Sequence, residues 1–198
     1  RLVNPARTEG VGAMIALLVH RLRDYGTAYP LTGIGVATAG VVDAATGTIA
    51  CDAMNIPDYR GTRLKAILSE AAGLPVAGEN DVNCAALGEY WLGAGQGASS
   101  LAMLTLGAGV GGALLMDGRI LRGALGFAGE VGYLPLPGGN LEALASTEAL
   151  VWRVAAAKGL PEEAVDGEMV FAWAKTGDEI AWGAISRMIE ALTAGIAA

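Results

Sequence analysis

Residues 74–92 read LPVAGENDVNCAALGEYWL, and this stretch decides the fold class. Its first part, Leu74–Ala77, is a short apolar run typical of a strand, and its last part, Asn83–Leu92, is typical of a helix. Three polar residues, Glu79-Asn80-Asp81, lie between the two patterns. Polar groups at the carboxyl end of a strand lie where open α/β sheets bind their ligands. The stretch therefore predicts an α/β protein whose ligand site includes residues 79–83.

Further strand and helix patterns occur on both sides of this stretch. The predicted helices cover residues 11–24, the segment from an N-cap at Thr62 to Gly73, and the segment after an N-cap at Asp178. The predicted strands cover 33–38, 41–42, 48–50, 101–106 and 113–116, and Asp117-Gly118 is a two-residue hairpin turn. Because strands alternate with helices, we expect a mixed sheet with helices on its faces. A second unit begins at Ser99, so the predicted domains are 1–98 and 99–198.

The two ends of the sequence predict that the fold continues beyond them. The chain opens in a polar connector, and its last helical pattern runs to Ala198 without a cap. A sheet with so few strands would leave edges unpaired. We therefore expect further segments of the protein before Arg1 and after Ala198.

Composition and charge exclude several classes of protein. The chain has 198 residues, of which 53% are apolar, so it can bury the core of one large or two small domains. Its 13 basic and 20 acidic residues give a formal net charge of −7, without any run of Lys or Arg. We therefore expect no binding of nucleic acid or of an anionic membrane through this chain. The longest apolar stretch, Leu101–Met116, contains four glycines and predicts two strands around a loop, which is incompatible with a membrane span.

Cysteine and histidine are scarce in the sequence. Cys51 and Cys84 form no CxxC pair, and His20 is the single histidine, so the side chains that a closed zinc site needs are lacking. Few cysteines and no signal peptide indicate a cytoplasmic protein.

Asp81 carries the main chemical hypothesis. It precedes a predicted helix, whose dipole would keep its carboxylate ionised. An ionised carboxylate in a cleft can accept a hydroxyl proton and orient the oxygen for attack on a phosphoryl group. The alternative is that Asp81 or Asn83 is only the N-cap of the helix, and the pentapeptide by itself favours neither interpretation.

A second candidate site is the glycine-rich segment Leu106-Gly107-Ala108-Gly109-Val110-Gly111-Gly112. A glycine-rich turn between strands lets backbone N–H groups converge on a phosphate. The segment lacks the Lys-Ser/Thr pair of a Walker A loop, and it precedes a strand, whereas the Rossmann motif precedes a helix. A glycine-rich hairpin without any ligand is the alternative.

Two carboxylates form the third candidate site. Glu130 is flanked by small residues that leave it room to face a pocket, and Glu142 follows in the first turn of a helix that Asn140 can cap. Two carboxylates near one cleft suit bidentate hydrogen bonding to sugar hydroxyls. The alternative for Glu142 is a favourable charge at a helix start.

A series of short motifs follows one another along nearly the whole chain. They are Gly33-Ile34-Gly35-Val36 with Val42-Asp43, Asn55-Ile56-Pro57, Glu79-Asn80-Asp81-Val82-Asn83, Gly107–Gly112, Asp117-Gly118, Gly129-Glu130-Val131-Gly132, and Leu141-Glu142-Ala143 with Ala145-Ser146. In this order they resemble the motifs of the ROK family (repressors, open reading frames and kinases). Each motif is common by itself, whereas the series is specific.

The resemblance implies an actin-like ATPase fold of the ribonuclease H-like, hexokinase type, with two domains around a cleft. It implies ATP and Mg²⁺, with Asp81 as the catalytic base that takes the proton of a sugar hydroxyl. The residues that would hold the sugar are Asn55, Asn80, Glu130, Tyr133 and Glu142. The residues that would lie beside the phosphates of ATP are Gly107, Ala108, Gly109, Gly111 and Gly112. The family also implies a homodimer built on the C-terminal unit.

The sequence departs from the family pattern at several positions. Ala108 stands where a threonine is usual, and the N-terminal phosphate loop of the kinases is not in this chain, so we expect the 198 residues alone to be inactive. Tyr133 replaces the histidine of the family's zinc site, Asn140 replaces its last cysteine, and the cysteine-rich loop is reduced to Pro137-Gly138-Gly139. Because a phenol ionises only near pH ~10, it is a poor zinc ligand. We therefore expect no structural zinc.

These residues favour a hexose or amino-sugar kinase. A sugar-responsive transcriptional regulator of the same family is the alternative, because regulators can retain both Asp81 and the glycine-rich loop. Such a regulator would carry a winged helix-turn-helix before Arg1. A sugar-binding protein without activity is a third alternative, since Tyr133 alters a sugar contact.

Overall fold

The computed structural model of the protein describes residues 4–51 and 56–198. The chain divides into two compact units. The N-terminal unit consists of Arg1–Glu89 and Gly123–Phe127, and the C-terminal unit consists of Tyr90–Arg122 and Ala128–Ala198. No helix in the described ranges combines the length and the hydropathy that crossing a bilayer requires.

The described part of the N-terminal unit contains short strands and four helices, of which the last continues into the C-terminal unit. In chain order they are α1 (Ala6–Glu9), α2 (Val11–Ala28), β1 (Ile34–Thr38), β2 (Val41–Val42), β3 (Ile49–Cys51), α3 (Leu64–Ala72), β4 (Val76–Asn80) and α4 (Asp81–Leu92). Strands β1 and β4 are parallel, and their register runs from Ile34 opposite Val76 to Thr38 opposite Asn80. Both strands therefore end at the same edge, which is where the predicted site residues Asn80 and Asp81 lie.

A hydrophobic core holds these elements together. Ile49, Leu64, Leu68 and Val76 are buried in it, and the ring of Tyr59 is only 1% exposed. Burial of a leucine or isoleucine side chain contributes roughly 1.5–3 kcal/mol. The core therefore fixes β4, and with it the strand end that leads into α4.

The structure corrects the predicted start of α3. The helix begins after Arg63, without any side-chain cap, so the prediction that Thr62 is the N-cap is wrong. The physical reason lies in the backbone: the carbonyl of Thr62 accepts a hydrogen bond from Ile49 N at 3.0 Å, which ties this residue to β3. The predicted end is confirmed, because Gly73 adopts the left-handed conformation with φ 66°.

The C-terminal unit begins with strands and ends with helices. Its elements are β5 (Ser100–Leu106), β6 (Val110–Met116), β7 (Arg119–Ile120), β8 (Pro135–Leu136), β9 (Gly139–Asn140), α5 (Leu141–Ala145), α6 (Thr147–Lys158), α7 (Gly167–Lys175) and α8 (Glu179–Ala197). Single 3-10 turns occur at Val131–Tyr133 and Glu162–Ala164. The predicted hairpin turn is confirmed: Asp117 and Gly118 join β6 to β7 with φ of 49° and 72°, the signs of a type I′ turn.

The sheets are smaller than the alternating pattern predicts. Within the described ranges the strands form four sheets, a parallel pair β1–β4 and three antiparallel sheets, β2–β3, β5–β6–β7 and β8–β9. No sheet of the described strands combines parallel and antiparallel pairs, so the mixed sheet expected from the sequence is not found there. Short hairpins can join only antiparallel strands, and β1 and β4 pair in parallel because a longer connection containing α3 links them.

The helices α5 to α8 pack on one another around a second core. Leu141, Leu150, Val154 and Val170 are each at most 1% exposed. Leu141 lies directly against Gly195 of α8, where an added Cβ would lie 2.7 Å from a Leu141 methyl carbon. This contact fixes the short helix α5, which carries Glu142.

The predicted N-cap of α8 is confirmed and is also an ion pair. Oδ1 of Asp178 accepts a hydrogen bond from Ala181 N at 2.9 Å, and its other oxygen binds Lys158 Nζ. That ammonium also lies 4.8 Å from the ring centre of Trp173. The hydrogen bond from Lys158, followed by that from Ala181, lowers the pKa of Asp178.

The lowered pKa of Asp178 predicts a pH-dependent stability. A carboxyl with a depressed folded pKa stabilises the fold above its unfolded pKa, at about 3.9, and this stabilisation is lost as the pH falls through the folded pKa. Asp178→Asn keeps a capping oxygen and removes the charge. We expect its urea midpoint to lie below that of the wild type at pH ~7, and the difference to shrink below pH ~4. Asp166→Asn, the same exchange at the N-cap of α7, is the control. An equal difference in urea midpoint between the wild type and Asp178→Asn at both pH values would contradict the prediction.

Candidate functional site

In the N-terminal unit, Asn80 is the residue that caps α4. Its side-chain oxygen accepts hydrogen bonds from Val82 N at 2.9 Å and Asn83 N at 3.1 Å, the geometry of an N-cap. Its amide nitrogen donates to the carbonyl of Gly40 at 3.1 Å. An amide group has two N–H donors, and this bond uses one of them.

Asp81 is the first residue of α4 and is exposed. One of its oxygens accepts a hydrogen bond from Val82 N at 3.0 Å. Because Asn80 is the cap, the alternative that Asp81 or Asn83 caps the helix is wrong. The structure thus places a solvent-accessible carboxylate at the N-terminus of a helix of 12 residues.

The half-buried Glu79 stabilises the same turn. Its Oε1 accepts hydrogen bonds from Asn80 N at 2.9 Å and from the side-chain amide of Asn83 at 3.1 Å. Burial, followed by the negative charges of Glu79 and Asp81, raises the pKa of the Cys84 thiol. A thiol with a raised pKa is protonated at neutral pH and is a poor nucleophile. Cys84 is therefore a weaker candidate for chemistry at this strand end than the carboxylates of Glu79 and Asp81.

The neighbouring strand end contributes residues that the sequence did not single out. Thr38, opposite Asn80 in the register, shares a hydrogen bond of 2.9 Å with the hydroxyl of the buried Tyr59. Two residues later, Gly40 adopts φ 87°, which is favourable only for glycine. Its carbonyl oxygen accepts the hydrogen bond from the side-chain amide of Asn80. The one sequence signal for this role is a glycine just after a predicted strand.

In the C-terminal unit, the glycine-rich segment forms a shorter loop than predicted. Strand β6 already begins at Val110, which pairs with Leu106, so only Gly107–Gly109 form the turn. The prediction of a loop extending to Gly112 is wrong, because Val110, Gly111 and Gly112 pair with β5. We call Gly107–Gly109 the glycine turn.

The glycine turn is anchored at both ends. The carbonyl of Gly107 accepts a hydrogen bond from Thr147 N at 2.8 Å, and Val110 N donates to Oε2 of Glu142 at 3.0 Å. Within the turn, Gly107 N donates to the carbonyl of Gly109 at 3.0 Å. These hydrogen bonds tie the backbone of the turn to α5 and α6.

A groove of about 600 Å³ lies next to the glycine turn. Besides Gly107 and Ala108, its lining is formed by the start of α6 and the segment that leads into α7, namely Thr147, Glu148, Val151, Glu162, Glu163, Val165, Asp166 and Gly167. A volume of this size is in the range of small-molecule and cofactor sites.

The segment that carries Glu130 packs directly on β6. An added Cβ at Gly112 would lie 2.6 Å from the carbonyl oxygen of Gly129, and one at Gly132 would lie 2.4 Å from the carbonyl oxygen of Val110. The Cβ at Gly132 would also lie 3.4 Å from Oε2 of Glu142. The structure therefore brings the segment of Glu130 and the carboxylate of Glu142 to one place.

The remaining residues singled out in the sequence are Tyr133, Asn140 and Asn55. Tyr133 is 62% exposed. Asn140 caps α5 as predicted, since its side-chain oxygen accepts a hydrogen bond from Ala143 N at 2.8 Å. Asn55, a predicted sugar-binding residue, lies outside the described residues. Among the residues that are described, no three His, Cys, Asp or Glu side chains are grouped so that they could hold a metal ion.

Comparison with known proteins identifies the family. A model of the ROK family matches residues 3–198. The chain belongs to the ROK family. A solved ROK hexokinase from Thermus thermophilus superposes with a TM-score of 0.80 at 34% identity, covering 99% of this chain and 67% of that one. A ROK family glucokinase from Streptomyces griseus, in complex with glucose and AMPPNP, superposes with a TM-score of 0.80 at 29% identity. The match covers 94% of this chain and 67% of that one. The fold of this ROK chain is therefore the actin-like ATPase fold of the hexokinase type.

Curated relatives include kinases and a repressor. A glucokinase of Halalkalibacterium halodurans is 41% identical over 138 residues, which cover 69% of this chain and 41% of the relative. A beta-glucoside kinase of Listeria monocytogenes is 36% identical over 174 residues, covering 84% and 59%. A xylose repressor of Caldicellulosiruptor bescii is 37% identical over 103 residues, covering 52% and 25%. The chain thus spans about half the length of the curated kinases that it matches.

Proposed function

We propose that the protein containing this chain is an ATP-dependent kinase that phosphorylates a hydroxyl group of a hexose or an amino sugar. The observation that carries the proposal is the position of Asp81. It is the exposed first residue of α4, while the neighbouring Asn80 provides the cap. A carboxylate in this position can accept a proton from a bound hydroxyl.

Asp81 would act on the acceptor sugar. Its carboxylate takes the hydroxyl proton, so that the sugar oxygen forms a bond to the γ-phosphorus of the donor while the bond to the leaving diphosphate breaks. The second N–H of the Asn80 amide can donate to the same sugar. In the C-terminal unit, Glu130, Tyr133 and Glu142 are proposed to hold further hydroxyls, and Asn55 is proposed as one more sugar ligand.

The C-terminal unit is proposed to bind the nucleotide. ATP, when bound with Mg²⁺, would supply the transferable phosphoryl group. The glycine turn, together with Gly111 and Gly112, is proposed to lie beside the phosphates, and the adjoining groove of about 600 Å³ has room for the nucleoside. Mg²⁺ needs only one or two protein carboxylates, because phosphates and waters supply its other ligands.

The proposal is tested by assaying the full-length protein for ADP release with a panel of hexoses and amino sugars. Support comes from relatives that are a glucokinase and a beta-glucoside kinase, and from the solved relative that holds glucose and AMPPNP. Sugar-dependent ADP release is expected. Specific binding of an operator DNA without turnover would favour a sugar-responsive regulator, the alternative to which the xylose repressor points.

The family's structural zinc is proposed to be lost in this protein. The segment from Glu130 to Glu142 has neither Cys nor His, and Asn140 is used as a helix cap. Closed zinc sites need about four N, S or O ligands at ~2.0–2.3 Å. We expect elemental analysis of the purified protein to find less than about 0.1 zinc per chain, and a chelator to leave its thermal unfolding unchanged. One zinc per chain that survives dialysis would contradict this.

Three further properties are part of the proposal. Helix α8 exposes Trp182, Ile189 and Ile196 at seven-residue spacing, and such an apolar stripe supports a homodimer built on the C-terminal unit. The net charge of −7 gives no attraction for nucleic acid through this chain. A cytoplasmic location is proposed because sugar phosphorylation consumes ATP.

A further inference from the structure

The backbone around Glu142 is fixed by a helix cap and by core packing. Its helix, α5, is capped by Asn140, and the neighbouring Leu141 is 1% exposed against Gly195 of α8. The short helix therefore has little freedom to move. The position of the Glu142 carboxylate is set by packing in the C-terminal unit.

The carboxylate of Glu142 lies against the backbone of the glycine turn. Its Oε2 accepts the hydrogen bond of Val110 N at 3.0 Å, and Val110 is 4% exposed. A Cβ at Gly109 would lie 2.3 Å from the same oxygen, so a larger residue there would displace the end of the Glu142 side chain. Hydrogen bonds that involve an ionised partner are about twice as strong as neutral ones. The contact is therefore a strong, partly buried anchor at the point where the turn enters β6.

The other anchor of the turn comes from the next helix. Thr147, the first residue of α6, donates its backbone N–H to the carbonyl of Gly107 at 2.8 Å. A single residue, Ser146, separates α5 from α6, and it is 3% exposed and caps α6 through Ala149 N. Glu142 and Thr147 thus form a clamp, built from two joined helices, that holds both ends of the glycine turn.

We propose that Glu142 is a positioning residue for the phosphate donor, because it fixes the glycine turn through Val110 before any nucleotide binds. This inference rests on the proposed kinase function, in which the same carboxylate also binds the sugar. A preorganised loop binds a phosphate without first losing conformational freedom. Glu142 would then link the sugar subsite to the phosphate loop through one side chain.

The test measures amide hydrogen exchange at Val110 and ADP affinity without sugar, in the full-length protein. Glu142→Ala should speed exchange at Val110 by about tenfold or more and weaken ADP binding by about tenfold. Glu142→Gln keeps an acceptor oxygen, so it should retain most of the exchange protection at Val110 and most of the ADP affinity. It should weaken sugar binding. If Glu142→Ala does not fold, Glu142→Asp replaces it, since its carboxylate is one methylene too short to reach Val110.

Asn140→Ala is the control, because it removes the cap of α5 while the protein keeps the carboxylate of Glu142. Unchanged exchange at Val110 in Glu142→Ala, or a change no larger than in Asn140→Ala at equal loss of stability, would overturn the inference. A role in sugar binding alone would leave ADP affinity without sugar unaltered, which would overturn it as well. Absence of sugar phosphorylation by the wild type, with the expected exchange pattern at Val110, would refute the proposed function and leave the clamp established.

Discussion

Asp81→Asn in the full-length protein is expected to lower kcat on the order of 10²–10⁴-fold, the usual contribution of a positioned general base. The amide that replaces the carboxylate has nearly the same shape and cannot take up the hydroxyl proton. The N-cap of α4 is Asn80, so the helix should remain intact. Sugar affinity, measured by calorimetry, should therefore change little while turnover in a coupled ATP assay falls.

A matched control for this exchange is Asp117→Asn. Asp117 is an exposed residue of a type I′ turn, where asparagine is favoured, so turnover should equal that of the wild type. If Asp81→Asn also turned over sugar at the wild-type rate, Asp81 would lose the role of base. A proportional loss of sugar affinity would instead assign it to binding.

Gly132→Ala is expected to have the second large effect. Its Cβ would lie 2.4 Å from the carbonyl oxygen of Val110 and 3.4 Å from Oε2 of Glu142, so the segment has to move away from β6. Overpacking of this kind costs about 1–3 kcal/mol of unfolding free energy. Since displacement of catalytic groups by ~1 Å can cost ~10²-fold, kcat/KM should fall by about that factor. Urea unfolding and steady-state kinetics measure the two losses separately.

Gly183→Ala is the matched control, and it is expected to raise the stability of the protein where Gly132→Ala lowers it. Gly183 lies inside α8 with open space at its Cβ position, so alanine should stabilise the helix by about 0.5–1 kcal/mol. The contrast shows whether steric contact decides the outcome. Wild-type stability and activity in Gly132→Ala would mean that the close packing at Val110 is not needed.

The sequence was sufficient for features that depend on neighbours along the chain. The strand, the polar residues 79–81 and the following helix could be predicted, as could the turn at Asp117-Gly118 and the caps at Asn140 and Asp178. Each depends on a local rule of turn or cap chemistry. The family could also be predicted, and it is confirmed by the match over residues 3–198.

Features that depend on distant contacts could not be predicted. The bond between Val110 and Glu142 joins residues 32 positions apart, and nothing in either local sequence indicates it. The start of strand β6 at Val110–Gly112 could not be predicted, because glycine has a low strand propensity. The pairing with β5 decides the structure there. Asn80, Asp81 and Asn83 can all cap a helix, and only the hydrogen bonds show that Asn80 does so.

The raised pKa of Cys84 has a consequence for inhibitor chemistry. Cys84 is three residues from Asp81 on α4, one helical turn away, and a thiol at that distance from the proposed reaction centre is an obvious target for a covalent electrophile. Electrophiles such as acrylamides react with the thiolate, whose population at neutral pH is lowered here by burial and by two neighbouring carboxylates. Compounds directed at this cysteine should therefore react slowly. The same protonated thiol should make the site resistant to oxidation by peroxide.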